Sequence, residues 1–172
     1  EIAGRHGLWT VEDAACGFGA RYRGEHVGTF GELAAFSFHP RKSITTGEGG
    51  MINTSRDDLA ATVRSLRDHG ASLSDHHRHT QAASYLLADY DLLGYNFRMT
   101  DLQGAIGSVQ MDRAEWILAE RQRCAEAYHQ LLGDVDWLAL PVTPPGSVHG
   151  WQSYVCLFRP EEANLMSVER LH

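Results

Sequence analysis

At 172 residues the chain has room for one domain or for parts of two, and 43% apolar with 22% charged residues is the composition of an ordinary soluble globular protein. A formal net charge of −7 gives no electrostatic reason to bind nucleic acid or an anionic membrane. Cys16, Cys124 and Cys156 are too few and too scattered for a disulfide framework or a paired-cysteine metal knuckle, so a reducing compartment, the cytoplasm, is the default expectation.

In chain order, Leu8 to Glu12 reads as a buried strand, an apolar run followed by the acid Asp13. Gly17, Gly19, Gly24, Gly28 and Gly31 then punctuate a loop-rich stretch, with Arg21 to Val27 as a short hairpin. Leu33 to Phe38 is a second buried strand and Gly50 to Thr54 a third. Ser55 with Asp58 three residues later has the form of a capping box. The helix behind it carries Leu59, Val63 and Leu66 on one face and stops at Gly70, with His69 in its last turn.

Residues 71–94 are irregular. Thr100-Asp101-Leu102-Gln103 is a second capping box, opening a helix with Leu102, Ala105, Ile106 and Val109 at helical spacing. Asp112 with Glu115 reads as another helix start, and that helix carries Trp116, Ile117, Ala127, Leu131 and Leu132 to Gly133. The longest run without a charged residue, Trp137 to Phe158, contains Pro141, Pro144, Pro145, Gly146 and Gly150, so it is no membrane helix. Its end, Trp151 to Phe158, reads as a strand, and Glu161 begins a further helix. Glu1 stands in what reads as the tail of a helix, so the chain is expected to be a fragment.

The chemistry gathers around Lys42. It closes Ser37-Phe38-His39-Pro40-Arg41-Lys42, just past a buried strand that Pro40 stops, and the glycine-rich Thr45-Thr46-Gly47-Glu48-Gly49-Gly50 follows. A lone lysine is normally a solvated surface residue, but one held in a partly desolvated place loses proton affinity and acts as a nucleophile. Asp13, at the end of the first strand, reads either as a helix cap or as an acid that keeps a pyridine nitrogen protonated. A lysine for a Schiff base and an acid for the ring nitrogen are what a pyridoxal phosphate (PLP) enzyme needs. Thr45 to Gly50 lacks the Lys-Ser/Thr ending of a nucleotide P-loop and reads better as a tight turn. His76, His77 and His79 read as a solvated loop before a metal site, because adjacent histidines point apart and no supporting ligand pattern is near.

Taken in order, these landmarks resemble the DegT/DnrJ-type family of PLP-dependent sugar aminotransferases. The resemblance rests on Glu12-Asp13-Ala14-Ala15, Val27-Gly28-Thr29-Phe30-Gly31, Ala35 to Lys42, Thr45 to Gly50, Leu66-Arg67-Asp68-His69-Gly70 and Leu93 to Asp101. It runs from about residue 5 to residue 158. It implies an α/β chain of the aspartate-aminotransferase type (PLP fold type I). Residues 1–100 would be the C-terminal part of the PLP-binding large domain, and 101–172 the truncated beginning of a smaller C-terminal α+β domain.

The resemblance also implies roles. Lys42 would form the Schiff base and move the proton, Asp13 would bind the pyridinium nitrogen, Ala15 would pack on a ring face and Ser37 would contact the cofactor phosphate. Asn96 would reach the cofactor phosphate of the neighbouring subunit, making a homodimer with a shared site. Cys16 stands where the family usually has a glutamine that bonds the ring hydroxyl, and a thiol is the weaker donor. Residues 71–94 look like an insertion, with a lid or a dimer contact as its role. The implied activity is transfer of an amino group from a donor such as glutamate to a keto-sugar, nucleotide-linked, in amino-sugar biosynthesis, with the fragment alone inactive. The alternatives are a PLP-dependent sugar dehydratase, which Lys42 argues against because such relatives carry histidine there, and a truncated non-catalytic binding or regulatory protein.

Overall fold

A computed structural model of the chain describes residues 2–72 and 89–163. The elements are α1 (Ile2–Arg5), β1 (Val11–Asp13), β2 (Arg21–Tyr22), β3 (Glu25–His26), β4 (Leu33–Ser37), β5 (Gly50–Asn53), α2 (Asp57–Arg67), α3 (Asp101–Asp112), α4 (Ala114–Leu132), β6 (Leu138–Ala139), β7 (Ser147–Val148) and β8 (Leu157–Phe158). β4 is the centre of the main sheet. β1 lies parallel to it, Asp13 opposite Ala35, and β5 lies antiparallel on its other side, Ser37 opposite Gly50.

The parallel pair is locked at its entry. The Thr10 carbonyl accepts from the backbone N–H of Glu32 (3.1 Å) and Leu33 (3.4 Å). The Glu32 carboxylate accepts in return from the Thr10 N–H (2.5 Å) and from the Thr10 hydroxyl. These bonds hold the Glu32 carboxyl below its ordinary range.

The glycine-rich stretch between β1 and β4 forms the expected hairpin. β2 and β3 meet through Arg23 and Gly24, with φ of 51° and 88°, the pair of positive values that a tight twisted hairpin turn needs. β7 adds to the free side of β2, so residues beyond 140 complete a small sheet begun near residue 20. β6 and β8 form a separate antiparallel pair.

α2 ends against the segment 95–97, whose backbone N–H groups serve its last carbonyls: Tyr95 to Leu66 and Phe97 to Arg67, both 2.9 Å. Two glycines permit the approach. A Cβ on Gly70 (φ 80°) would lie 1.7 Å from the Leu92 carbonyl oxygen, and one on Gly94 would lie 2.2 Å from the Gly70 nitrogen. The helix therefore closes at Asp68, and His69 (φ 60°) belongs to the left-handed turn after it. α3 starts as its sequence predicts: the Thr100 hydroxyl accepts from the Gln103 N–H, and the Gln103 side chain takes the Thr100 N–H (2.9 Å).

Several expectations are corrected. Leu8–Glu12 is not a buried strand: β1 covers only Val11–Asp13, and Leu8, Trp9 and Val11 are exposed, because β1 is an outer strand with no layer over it among the described residues. β5 is exposed along its length. Ser55 does not cap α2; Arg56 holds that position, and its guanidinium takes the Asp58 carboxylate (3.0 and 2.6 Å) that a box would have used. Among the described residues no side chain caps α4, whose start is shared with the end of α3 at Arg113. The strand from Trp151 shrinks to Leu157–Phe158, because Trp151 is left-handed (φ 48°) and its N–H turns to His149 Nδ1 (2.8 Å). His76, His77, His79, most of the 71–94 stretch and most of the helix expected after Glu161 lie outside the described residues.

The Thr10–Glu32 lock makes a pH prediction. A carboxyl whose folded-state pKa is depressed contributes stability above its unfolded value, near 4.5, and loses it as pH falls through the lowered folded value. Thr10→Val should therefore flatten the acid limb of stability in urea unfolding across the range below that value, while Thr10→Ser retains it. An unchanged acid limb in Thr10→Val contradicts the lock.

Candidate active site

Parallel pairing carries the chain ends of β1 and β4 to the same edge of the sheet. Past β1, the Asp13 carboxylate accepts the Ala15 N–H (3.0 Å) and the Ala14 N–H goes to the Ala35 carbonyl (3.0 Å). Ala14 is buried, Ala15 half-buried and Cys16 exposed. Gly17 then turns the chain where a Cβ would meet Val27 Cγ1 at 2.4 Å.

Past β4, the chain folds onto itself. Ser37 Oγ accepts the His39 N–H (3.4 Å), leaving its own hydrogen to donate, and the Lys42 N–H closes a turn on the His39 carbonyl (2.9 Å). The Phe38 carbonyl takes the Thr46 N–H (3.1 Å) and the Thr45 hydroxyl (3.0 Å), and the Phe38 N–H reaches the Gly49 carbonyl (2.8 Å). Within Thr45–Gly50 the Thr46 hydroxyl donates to the Glu48 carbonyl (2.8 Å) and Gly47 takes a φ of 82°. That segment forms a tight turn, and its Thr45 N–H and Glu48 carbonyl also meet the side chains of Gln110 (3.4 Å) and Gln103 (2.9 Å) on α3.

The two loops meet where Lys42 Nζ donates to Cys16 Sγ at 2.9 Å. Lys42 is the only lysine in the sequence. Asp13, Ala15, Cys16, Ser37 and Lys42 thus gather at one sheet edge. Asn96 does not join them by any hydrogen bond among the described residues. It bridges to Asp68 at the end of α2, exposed and flanked by exposed Tyr95 and Phe97, whose rings stack at 5.3 Å. Its seat is fixed by charge: Asp68 is buried and its carboxylate takes the Arg98 guanidinium.

Gln152 was not singled out by the sequence. Its side-chain oxygen accepts from the Ser43 N–H (3.0 Å) and faces the Ser43 hydroxyl (3.3 Å), while its amide nitrogen donates to the Arg41 carbonyl (2.5 Å). Nothing in Trp151-Gln152-Ser153-Tyr154 announces a contact more than a hundred residues back. A hollow of about 380 Å³ between α4 and this segment is lined by Gln152, Trp116, Tyr128 and Tyr154 but not by Lys42, so it is distinct from the lysine cluster.

The model of the DegT/DnrJ/EryC1/StrS aminotransferase family matches residues 1–171. The chain belongs to this family. It is 45% identical over 132 residues to GDP-perosamine synthase of Caulobacter vibrioides, covering 77% of this chain and 33% of that protein. It is 35% identical over 159 residues to an uncharacterised protein of Methanocaldococcus jannaschii, covering 91% of this chain and 40% of that one. Among solved structures, DesV of S. venezuelae, in complex with a ketimine intermediate, superposes with a TM-score of 0.78 at 31% identity, covering 91% of this chain and 39% of that chain. The fold is that of PLP fold type I, and the chain spans about 40% or less of the length of these relatives.

The Asp68–Arg98 pair yields the second prediction. Arg98→Met leaves a buried carboxylate without its partner and should cost about 2 kcal/mol of unfolding free energy. Asp68→Asn in the same background should recover part of it. Additive losses in urea unfolding contradict the pairing.

Proposed function

We propose that this chain carries the lysine side of a PLP-dependent aminotransferase site, in a protein that places an amino group on a nucleotide-linked keto-sugar with an amino acid such as glutamate as donor. The observation that carries the reading is the meeting of the two loops: the sole lysine reaches Cys16, three residues past Asp13, at the edge where β1 and β4 both end. Family membership and a relative named for a GDP-linked product support the reaction and the substrate class.

The donor set fits the cofactor. An acid on one loop and an amine on the other answer a heterocycle with a basic nitrogen at one pole and a carbonyl at the other, and Ser37 keeps a hydroxyl hydrogen for a phosphate oxygen. When bound, PLP supplies an electron sink that stabilises negative charge on the substrate carbon. Asp13 holds the ring nitrogen's proton. Lys42 holds the cofactor and moves a proton at its Nζ, acid–base help worth roughly 10²–10⁴-fold. Ala15, half-buried and small, leaves space for a ring face. Cys16 takes the place beside the ring hydroxyl, where its thiol bonds weakly.

Asn96 acts on the neighbouring subunit's phosphate. Its exposure, and the lack of a hydrogen bond from it to the Lys42 cluster among the described residues, support a homodimer with a shared site. We take residues 1–100 as the large-domain part and 101–172 as the start of the smaller domain. Three free cysteines support the cytoplasm as the location, and no described helix is long and apolar enough to cross a membrane.

In the full-length protein, Lys42→Ala should lose the visible absorbance of the attached cofactor and fall at least about 10³-fold in turnover. Turnover within tenfold of the parent refutes the assignment.

A further inference from the structure

The structure assigns a positioning role to Gln152: its amide clamps the backbone on both sides of Lys42 and ties that backbone to α4. This rests on Lys42 being the cofactor lysine, as proposed above.

The geometry is two-handed. A primary amide offers one acceptor and one donor group, and Gln152 spends both within three residues of chain. Its oxygen accepts the Ser43 N–H at 3.0 Å and its nitrogen donates to the Arg41 carbonyl at 2.5 Å. The orientation is unambiguous, because a backbone N–H only donates and a carbonyl only accepts. Lys42 stands between the two bonds. Its own N–H closes on His39, so the peptide groups around its Cα are each committed. The next residues, Ser43 and Ile44, are buried, which shields the Ser43 end of the clamp from water, while the Arg41 end is exposed.

Gln152 is itself held. Arg121, from α4, donates through Nη1 to the carbonyls of Trp151 (2.9 Å) and Gln152 (3.3 Å). The Trp151 indole N–H reaches Gln122 Oε1 on the same helix (2.7 Å), and its ring stacks on His149 at 4.1 Å. Trp151 is buried and left-handed (φ 48°), a conformation that such a bulky residue takes only when its surroundings impose it. The line from α4 through 151–152 to residues 41 and 43 is continuous, and it fixes the root of a flexible four-carbon side chain. A catalytic group misplaced by about 1 Å loses roughly 10²-fold in rate.

The test uses the full-length protein with Gln152→Met, which keeps the shape and removes both bonds, and Gln152→Glu, which keeps the acceptor and removes the donor. In the cofactor-free protein, hydrogen exchange at the Ser43 amide should speed at least tenfold in Gln152→Met and stay near the parent in Gln152→Glu. In the loaded protein, kcat should fall by about 10–100-fold in Gln152→Met while KM for the amino donor stays within about threefold, with Gln152→Glu between. The pH midpoint of the cofactor absorbance should move in Gln152→Met. An unchanged Ser43 exchange rate, or faster exchange with unchanged kcat and pH midpoint, overturns the role. Lys42→Ala separates the two ideas: if it keeps its cofactor and turnover, the lysine assignment fails whatever Gln152 does; if it loses them, the Gln152 data stand alone.

Discussion

Two strands running the same way bring the chemistry together. β1 and β4 pair in parallel, so the residues leaving each strand emerge at one edge. Had β4 run the other way, Lys42 would leave the sheet a strand length from Asp13, roughly 16 Å for five residues. Parallel strands need a long crossover, here residues 14–32, and that span holds the glycines and the β2–β3 hairpin. The Thr10–Glu32 bonds set the register at the entry, which fixes the exit.

The second constraint is the burial that the described residues achieve among themselves. The apolar strand residues Val11, Met51 and Ile52 are exposed, whereas Phe38, Ser43, Ile44 and Thr46 are buried. The most enclosed stretch of the described chain is therefore the loop around its single lysine. Loops usually lie on the surface because their peptide groups need partners. This one supplies them internally through Phe38, Thr45 and Thr46 and externally through Gln152.

Signals that act over three or four residues were readable in the sequence. The Thr100–Gln103 box, the hairpin at Arg23–Gly24 and the strand order before α2 all depend on neighbours in the chain, and each is present. The Lys42 and Asp13 neighbourhoods are ordered local motifs of the same kind. Local spacing misleads where a competing partner takes the group. Asp58 has the spacing of a capping-box partner for Ser55, yet the Arg56 guanidinium takes its carboxylate. Trp151-Gln152-Ser153-Tyr154-Val155 has the aromatic and β-branched content of a strand, yet α4 takes the indole and turns the backbone left-handed. Gln152 carried no signal, because a glutamine's value lies wholly in which two groups its amide reaches.

The most direct measurement is chemical. Borohydride reduction of the cofactor-loaded full-length protein, followed by peptide mapping, should find the phosphopyridoxyl mass on the peptide containing Lys42, the only lysine in this sequence. An adduct on a lysine elsewhere in the protein, or none after loading, would contradict the account.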